Sequence, residues 1–266
     1  MTARVAITGG AGGIGRALAL AFGRAGYEVC LADVDAVRLE AVRAEVSAMG
    51  VAVQARAFDI CDPAACAEAL TSFGDLDVLV NNAGISHRSL FADTSPDVLR
   101  RVMEVNFFGA VHCTRAALEG LRRRRGTVVA MSSVAGFAPL VGRTAYAASK
   151  HALHGFFDTL RAELHHEGVR VLVVCPSFVD TDLDTRHLGA DGEVRGDRRA
   201  TVGRSLSAVD VASAVLVAVR KGQRRKLLSP IAHAALWMTR LTPGLYDRVM
   251  LRKQGAELLL PKGGRR

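Results

Sequence analysis

The sequence lacks features that would place it among membrane-spanning or nucleic-acid-binding proteins. No run of 18 apolar residues occurs, so we expect no transmembrane helix. Aromatic residues make up only 5% of the chain, and no segment interleaves them with basic residues as nucleic-acid-binding surfaces do. The net charge of +9 is therefore better explained by an anionic membrane surface or by an arginine-rich composition than by a nucleic-acid partner.

Cysteine is also sparse and follows no motif. The chain has five cysteines, an odd number, and Cys61 and Cys66 are separated by a spacing that fits no Cys-x-x-Cys pattern. We expect no metal site and no disulfide framework, with the thiols acting as small buried groups in a reducing, cytoplasmic compartment. A strand-like Val-Ala-Ile segment begins at Val5, so no signal peptide is expected.

What the chain does have is a regular alternation of short apolar segments and helical patterns over 266 residues, half of them hydrophobic. This alternation predicts an α/β fold, with a single Rossmann-like, doubly wound parallel sheet flanked by helices. About seven strands are predicted, at residues 4–8, 27–32, 51–58, 76–80, 126–131, 169–175 and 224–228. Helices are predicted at residues 16–24, 36–49, 63–73, 96–121 and 207–220, with another that contains Tyr146 and ends near Glu167.

The domain organisation follows from the same pattern. Residues 1–228 are predicted to form one domain, because no linker or internal repeat divides them. Residues 181–204 are polar and charged, and are expected to form a mobile loop or lid. Residues 229–266 are predicted to be an amphipathic extension whose last part, 261–266, is disordered.

A glycine-rich turn follows the first predicted strand, with the sequence GGAGGIG over residues 9–15. Glycines between a strand and a helix let a pyrophosphate approach the backbone, and the helix N-terminus supplies N–H donors. Two spacings fit, because Gly10, Gly12 and Gly15 match G-x-G-x-x-G, whereas Gly9, Gly13 and Gly15 match G-x-x-x-G-x-G. Either spacing predicts a dinucleotide site, although a tight strand-to-helix turn also uses glycine.

Two further strand ends carry residues suited to the same ligand. Asp33 ends the second strand, about 20 residues after the glycines, where an acid accepts hydrogen bonds from the adenine-ribose hydroxyls and repels a 2′-phosphate. This predicts NAD rather than NADP, and leaves Asp35 to cap the next helix. Asn82, Ala83 and Gly84 follow the fourth strand, at the sheet edge where α/β proteins bind ligands.

Tyr146 and Lys150 are four residues apart in a segment without helix breakers, so a helix would place both on one face. A phenol has a pKa of about 10, and a neighbouring ammonium lowers that value towards the range useful for general acid–base catalysis. The same spacing also occurs by chance on many helices. Asn106 lies within the predicted 96–121 helix, where it either faces solvent or marks a functional kink.

Together, these motifs resemble those of the short-chain dehydrogenase/reductase family over residues 4–228. The resemblance is carried by Thr8-Gly9-x-x-x-Gly13-Ile14-Gly15, Asn81-Asn82-Ala83-Gly84, Asn106, Ser133 and Tyr146-x-x-x-Lys150. It favours the glycine spacing that begins at Gly9. The chain departs from the family at Ser177, where a glycine usually follows the proline. Gly12 stands where NADP-preferring relatives often carry a basic residue, which agrees with Asp33.

The resemblance implies a role for each of these residues. Tyr146 would be the catalytic acid/base, and Lys150 would lower the pKa of Tyr146 and hold the nicotinamide ribose. Ser133 would hydrogen-bond the substrate oxygen, and Asn106 would anchor a water that links Lys150 to solvent. The implied cofactor-binding set consists of Gly9, Gly13, Ile14, Gly15, Asp33, Asp59, Ile60, Asn82, Ala83, Gly84, Tyr146, Lys150, Pro176, Val179 and Thr181.

The expected function is therefore that of an NAD-dependent oxidoreductase. It would transfer a hydride between nicotinamide and a secondary alcohol or ketone, an apolar one such as a steroid, a retinoid or a lipid-like molecule. An NADPH-preferring ketone reductase is a second hypothesis, which Asp33 opposes. A nicotinamide-binding regulator without catalysis is a third, which the complete Ser133, Tyr146 and Lys150 set opposes.

The tail, at residues 230–250, is amphipathic with basic neighbours and is similar to the C-terminal extensions of family members that act on lipids, retinoids or steroids. We expect its helices to cover the substrate cleft and to offer an apolar, basic-rimmed face to a membrane or another subunit, with ordinary core packing as the alternative. By analogy with the family, the helices that contain Asn106 and Tyr146 are expected to form a homodimer or homotetramer.

Overall fold

The computed structural model describes residues 2–181, 186–196 and 205–255. Ten strands are present in these ranges. They are β1 Arg4–Thr8, β2 Glu28–Asp33, β3 Val53–Ala57, β4 Val78–Asn81, β5 Ser86–His87, β6 Thr127–Met131, β7 Arg170–Cys175, β8 His187–Leu188, β9 Val194–Arg195 and β10 Arg225–Leu227. Seven of them form a parallel sheet in the order β10-β7-β6-β4-β1-β2-β3, which confirms the predicted fold.

Helices cover both faces of this sheet. They are α1 Gly13–Arg24, α2 Ala36–Ser47, α3 Pro63–Ser72, α4 Pro96–Met103, α5 Gly109–Arg124, α6 Thr144–Glu163, α7 Ala208–Arg220, α8 Pro230–Leu241 and α9 Pro243–Met250. Side chains alternate across each strand, so Val5 and Ile7 pack in the layer with α1, α2 and α7, while Ala6 packs in the layer with α3, α5 and α6. Because both faces are buried, the strands are almost continuously apolar.

The strand order places a ligand crevice at the centre of the sheet. β2 and β3 lie on one side of β1, whereas β4, β6, β7 and β10 lie on the other. In doubly wound sheets the crevice opens at the carboxyl ends of the strands where the order reverses. The glycine-rich turn follows β1 and residues 82–84 follow β4, so both segments border this crevice.

The predicted 96–121 helix is present but changes its hydrogen-bonding pattern in the middle. A π-helical segment, Glu104–Phe108, joins α4 to α5 and contains Asn106. The side chain of Asn106 is only 1% exposed, so the solvent-facing alternative is wrong. π-helical turns inside α-helices are frequent at functional sites.

The sequence did not predict a second, small sheet. β5 pairs in parallel with β8, and β8 pairs antiparallel with β9. Residues 187–188 and 194–195 of the predicted mobile loop are therefore paired as short strands, and the other described residues of this stretch are turns or irregular. The rest of that loop, at residues 182–185 and 197–204, and the predicted disordered end at 261–266 lie outside the described residues.

The C-terminal extension is helical and packs onto the segment that follows β6. Ala235 of α8 and Tyr246 of α9 are buried against Ala138. The Tyr246 hydroxyl donates a 3.0 Å hydrogen bond to the carbonyl oxygen of Pro139. The extension is thus tied to the loop between β6 and α6, which are the elements that carry Ser133 and Tyr146 at their ends.

Candidate active site

Tyr146 and Lys150 lie one turn apart on α6. The Lys150 Nζ atom lies 5.6 Å from the centre of the Tyr146 ring and donates a 2.8 Å hydrogen bond to the carbonyl oxygen of Met131, at the end of β6. Lys150 is only 5% exposed, and burial lowers its pKa from 10.5 to about 8. Its ammonium therefore remains charged at neutral pH, and its field favours the phenolate form of Tyr146.

The Asn106 side chain connects the π-helical segment to the residues after β4 and to α6. Its Oδ1 atom accepts a 2.7 Å hydrogen bond from the backbone N–H of Ile85, and its Nδ2 atom donates to the Ile85 carbonyl oxygen at 2.9 Å. Nδ2 also donates to Ser149 Oγ at 3.0 Å, and that hydroxyl donates to the carbonyl oxygen of Tyr146 at 2.8 Å. Asn106 thereby fixes α6 relative to the segment after β4.

Gly84 lies between Asn106 and Lys150. A Cβ atom at this position would lie 3.0 Å from Asn106 Oδ1 and 3.8 Å from Lys150 Nζ. Because glycine has no side chain, a small space remains here that both the Asn106 amide and the Lys150 ammonium border. A group that bridges them, such as the water implied by the family resemblance, would need this space.

Ser133 stands where β6 ends, on the other side of Tyr146. It caps a short 3-10 turn, Val134–Gly136, and its Oγ atom accepts a 3.2 Å hydrogen bond from the Ala135 N–H. The Oγ atom keeps its own proton for a further acceptor. Ser133 and Tyr146 line the same two cavities, so their hydroxyls border a common space.

The glycine-rich turn has the geometry of an anion site. Gly9 has a φ angle of +65°, and a Cβ atom on Gly15 would lie 1.9 Å from the Gly9 carbonyl oxygen, so both positions require glycine. α1 begins after Gly12 without a capping side chain. Side chains cap α2, α3, α4, α7 and α8, through Asp35, Asp62, Ser95, Ser207 and Ser229, whereas α6 and α9 begin, like α1, without one.

A helix start without a capping side chain leaves its first N–H groups available to a ligand. These donors and the helix dipole suit a pyrophosphate. The residues at this crevice therefore fit a dinucleotide on the basis of their own geometry. Gly13 also touches Thr181, since a Cβ atom on Gly13 would lie 3.2 Å from Thr181 Cγ2.

The residues after β4 are bound to the end of β1. The Thr8 hydroxyl accepts hydrogen bonds from the backbone N–H groups of Asn82 and Ala83, both at 3.1 Å. The Asn82 side chain donates to the carbonyl oxygens of Thr8 and Gly9, at 3.0 and 3.2 Å. Asn82 therefore shapes the glycine-rich turn, while Thr8 appeared in the sequence only as part of a motif.

Asp33 lies against the same turn. Its Oδ2 atom accepts a 3.0 Å hydrogen bond from the Ala11 N–H, and its Oδ1 atom accepts one of 3.1 Å from the Asp35 N–H. Asp35 caps α2 by accepting from the Arg38 N–H, which leaves Asp33 at the crevice. Each oxygen of the Asp33 carboxylate retains a lone pair for a further donor.

Asp59 and Ile60 follow β3, beyond Asp33 in the sheet. Asp59 is exposed and accepts a 2.9 Å hydrogen bond from the Cys61 N–H. Ile60 is buried, and a Cβ atom on Gly109 would lie 2.5 Å from its side chain. Neither residue lines the cavities around Tyr146, so their implied role on the adenosine half rests on their place at the sheet edge.

Two cavities meet at Tyr146. The first lies at the crevice and is lined by Ile14, Asn82, Gly84, Ser86, Met131, Ser132, Ser133, Tyr146, Lys150, Pro176, Ser177, Val179 and Thr181. The second has a volume of about 300 Å³ and lies under the C-terminal extension. Ser133, Tyr146 and Ser177 line both cavities, so a molecule in the second reaches the hydroxyls that border the first.

The second cavity is mainly apolar. Its other lining residues are Val134, Leu140, Phe178, Ile231, Ala234, Ala235, Met238, Tyr246, Val249, Met250 and Lys253. The amphipathic pattern of the tail signalled the residues from α8 and α9, but no sequence signal singled out Leu140 or Phe178. Within the described ranges, no group of three or more His, Cys, Asp or Glu side chains is placed to hold a metal ion.

A doubly wound sheet with a glycine-rich anion site at its crevice, and with a tyrosine and a buried lysine beside it, has the features of a nicotinamide-dependent oxidoreductase. A family model described as short chain dehydrogenase matches residues 3–190 of this chain. The chain belongs to the short-chain dehydrogenase/reductase family, as its motifs predicted.

Individual relatives agree with this assignment. The chain is 42% identical over 258 residues to dehydrogenase/reductase SDR family member 7B of Bos taurus. The alignment covers 92% of this chain and 79% of the relative. A short chain dehydrogenase/reductase from Burkholderia phymatum, solved in complex with NAD, superposes on this chain with a TM-score of 0.80 and 26% sequence identity. The superposition covers 92% of this chain and 95% of the Burkholderia chain.

A second solved structure carries a different cofactor. An alcohol dehydrogenase from Thermococcus sibiricus, complexed with 5-hydroxy-NADP, superposes with a TM-score of 0.73 and 26% sequence identity. The superposition covers 86% of this chain and 95% of the Thermococcus chain. Structural neighbours thus include both NAD-type and NADP-type complexes. Across the described part of the chain, no helix combines the length and apolar character needed to cross a bilayer.

Proposed function

We propose that this protein is an NAD-dependent dehydrogenase of an apolar secondary alcohol, or of the corresponding ketone in the reverse direction. The observation that carries the proposal is the apolar cavity of about 300 Å³, because Ser133 and Tyr146 line both this cavity and the crevice. An apolar cavity with a few polar groups at one end orients a substrate by those groups and binds the rest by burial. The reacting carbon then lies beside the crevice.

In this proposal, Tyr146 moves the proton. During oxidation its phenolate removes the proton of the substrate hydroxyl, and during reduction its phenol returns one to the carbonyl oxygen. Ser133 donates a hydrogen bond to the same oxygen. The bound nicotinamide supplies the acceptor or donor of the hydride. A non-catalytic regulator would gain nothing from this arrangement.

Lys150 and Asn106 support Tyr146 in different ways. The buried charge of Lys150 favours the phenolate, and its Nζ atom would also hold the nicotinamide ribose. Asn106 fixes α6 through Ser149 and would anchor the water beside Gly84. These assignments rest on the distances around Tyr146 and on the family resemblance.

The preference for NAD rests on Asp33. Its carboxylate borders the glycine-rich turn, where the adenine ribose of a dinucleotide would lie. A 2′-phosphate at that place would face a carboxylate of the same sign. We assign the rest of the implied set, including Asp59, Ile60, Pro176, Val179 and Thr181, to the walls of this cofactor site.

The test is a spectrophotometric assay at 340 nm with a panel of apolar secondary alcohols, using NAD and NADP in parallel. The proposal is supported if turnover is faster with NAD than with NADP, and if Asp33→Ser removes or reverses this preference. Turnover with NADP alone in the wild-type protein would contradict the role of Asp33 and favour the NADPH-dependent reductase. Binding of NAD without turnover of any alcohol or ketone would favour the regulator.

The C-terminal extension suggests an additional contact surface. Trp237, Leu241 and Leu245 are 59%, 72% and 51% exposed, and Arg240 and Arg248 stand beside them. We propose that this face contacts an anionic membrane surface, because apolar side chains among cations suit lipid headgroups. Residues 1–228 would then be the catalytic domain and the extension its cover, in a cytoplasmic protein.

Vesicle co-sedimentation tests the membrane contact. Binding to vesicles that contain phosphatidylserine, weakened in Trp237→Ser/Leu241→Ser, is expected. If the same variant changes the oligomeric state in light scattering and leaves vesicle binding unchanged, the face is a subunit contact instead. A homodimer or homotetramer through α5 and α6 is proposed separately, by analogy with the family.

A further inference from the structure

Two kinds of polar group line the apolar cavity, hydroxyls and one ammonium. Ser133 and Tyr146 provide hydroxyls at the end next to the crevice. Lys253, which follows α9 in the π-helical segment Leu251–Gly255, is an exposed residue that also lines the cavity. Because the residue is exposed, its ammonium is in contact with solvent where it borders the cavity, while its aliphatic stem covers apolar surface. Among the described lining residues of this cavity, Lys253 alone is charged.

The surroundings of Lys253 strengthen its positive field. Arg248 and Arg252 are exposed near it in sequence, and Asp247 and Glu257 are the acidic residues between positions 230 and 266. A cluster of cations around a low-dielectric opening attracts anions and raises their local concentration. A neutral alcohol gains nothing from this field, whereas a substrate with an anionic end gains an ion pair at the opening.

We propose that the substrate is an amphiphile with an anionic group at the end opposite its alcohol or ketone, and that Lys253 binds this group. This inference rests on the proposed function, since it takes the reacting oxygen to lie at Ser133 and Tyr146. It adds a substrate class, apolar molecules with a terminal carboxylate or a similar anion. It also adds a residue, Lys253, that determines specificity without touching the reacting atoms.

The probes are secondary-hydroxy fatty acids of increasing length, each paired with its methyl ester. The acid and its ester share the reacting end and the apolar body, so they differ in charge at the far end. In the wild-type protein we expect the acid to have the higher kcat/KM, with an optimum at one separation between hydroxyl and carboxylate. The advantage should shrink as salt is raised, because the pair is solvent-exposed.

Lys253→Ala is the decisive variant, and Arg252→Ala is its control. Arg252 is an exposed neighbour with the same charge that does not line the cavity. We expect Lys253→Ala to reduce kcat/KM for the acid about fivefold, mainly through KM, as for one exposed ion pair. It should change kcat/KM for the ester less than twofold. Arg252→Ala weakens only the surrounding field, so it should reduce kcat/KM for the acid by less than Lys253→Ala does and leave the ester nearly unchanged.

Several results would overturn the inference. Equal kcat/KM for acid and ester in the wild-type protein would exclude an anionic end. Equal losses for acid and ester in Lys253→Ala would mean that the side chain only packs at the opening. Equal losses in Arg252→Ala and Lys253→Ala would assign the effect to the general field. Turnover of neutral alcohols in any of these cases leaves the proposed function intact, whereas absence of turnover with every alcohol and both cofactors refutes that function itself.

Discussion

The Lys150 Nζ atom lies 5.6 Å from the centre of the Tyr146 ring and is fixed by a hydrogen bond to the Met131 carbonyl oxygen. This hydrogen bond holds the ammonium beside the phenol as long as Lys150 is protonated. A fixed cation stabilises the phenolate relative to the phenol, which is the condition for Tyr146 to act near neutral pH.

Tyr146→Phe should abolish nearly all turnover, because it removes the proton-transfer group and keeps the ring. The expected loss in kcat is roughly 10²- to 10⁴-fold, the usual contribution of general acid–base catalysis. Stopped-flow or steady-state assays with the best alcohol of the panel measure it, and cofactor titration should show that the variant still binds NAD, which assigns the loss to the chemical step.

Tyr27→Phe is the matched control for this substitution. Tyr27 packs edge-on against Phe22, with ring centres 5.0 Å apart, and lies outside the cavities around Tyr146. Its variant should retain full activity. Wild-type turnover in Tyr146→Phe would refute the catalytic assignment.

Lys150→Met should stabilise the fold near neutral pH. The folded state lowers the pKa of Lys150 from 10.5 to about 8, so below pH 8 the protein carries the full cost of a buried charge, roughly 3 kcal/mol. The unfolded chain holds more protons between pH 8 and 10.5, so the stability of the wild-type protein rises through that window relative to the variant. The variant also loses the hydrogen bond to Met131, which is worth about 1 kcal/mol. Its free energy of unfolding at pH 7 is therefore expected to exceed that of the wild-type protein by on the order of 2 kcal/mol.

Chemical denaturation of both proteins from pH 7 to pH 10 measures this difference. The advantage of Lys150→Met should shrink as the pH rises. Lys221→Met, at an exposed position after α7, serves as the control and should show little change at any pH. A difference that does not depend on pH would contradict the lowered pKa.

Asn106→Ala should destabilise the protein strongly. It removes the partners of the backbone N–H and C=O of Ile85 and one partner of Ser149. Leaving partly buried backbone groups without partners costs on the order of 2–4 kcal/mol in total. Urea denaturation measures the loss, and the π-helical segment should give way to regular α-helix.

Ser149→Ala provides the comparison within the same network. It removes one of the three hydrogen bonds of the Asn106 side chain, so a loss of about 1 kcal/mol is expected. The double variant should lose less than the sum of the two single losses, because the residues are directly coupled. Strict additivity would show that Asn106 does not hold α6 through Ser149.

Gly15→Ala and Gly155→Ala make the same chemical change with opposite expected results. A Cβ atom on Gly15 would lie 1.9 Å from the Gly9 carbonyl oxygen, so the glycine-rich turn must shift, at a cost of about 1–3 kcal/mol or more. Cofactor binding should weaken at least tenfold in this variant, by isothermal titration, on the order of 1.4 kcal/mol or more.

Gly155 lies on the exposed side of α6, and a Cβ atom there would meet nothing within 4 Å. Its replacement by alanine should raise stability by roughly 0.5–1 kcal/mol through better helix propensity. Unchanged cofactor binding in both variants would show that the turn does not need glycine at position 15.

The sequence was sufficient for the main sheet and for the residues whose chemistry depends on local spacing. Gly9, Gly15, Tyr146 and Lys150 could be singled out because a turn or one helical period brings each set together. Asp33 could be singled out because it ends a strand of strongly apolar residues. These signals are local, so they survive without knowledge of the tertiary structure.

The rest depended on contacts between distant segments. β5 and β8 have two residues each, too few to show a period, and they form only because they pair across 100 positions of chain. The burial of Asn106 follows from partners at Ile85 and Ser149, which no local pattern reveals. In the sequence, Lys253 was only one basic residue of the tail, and its place at the cavity depends on how α8 and α9 pack on the rest of the chain.

The match to the family model ends at residue 190, whereas α8 and α9, which roof the apolar cavity, lie beyond it. In the proposed function, the residues that carry the reaction and the helices that border the substrate cavity are thus encoded in separate stretches of the chain. Evolution can exchange the second without rebuilding the first. A chimera that carries the roof of a relative, joined before Ser229, should inherit that relative's substrate preference while it keeps the rate-determining chemistry of its own Tyr146.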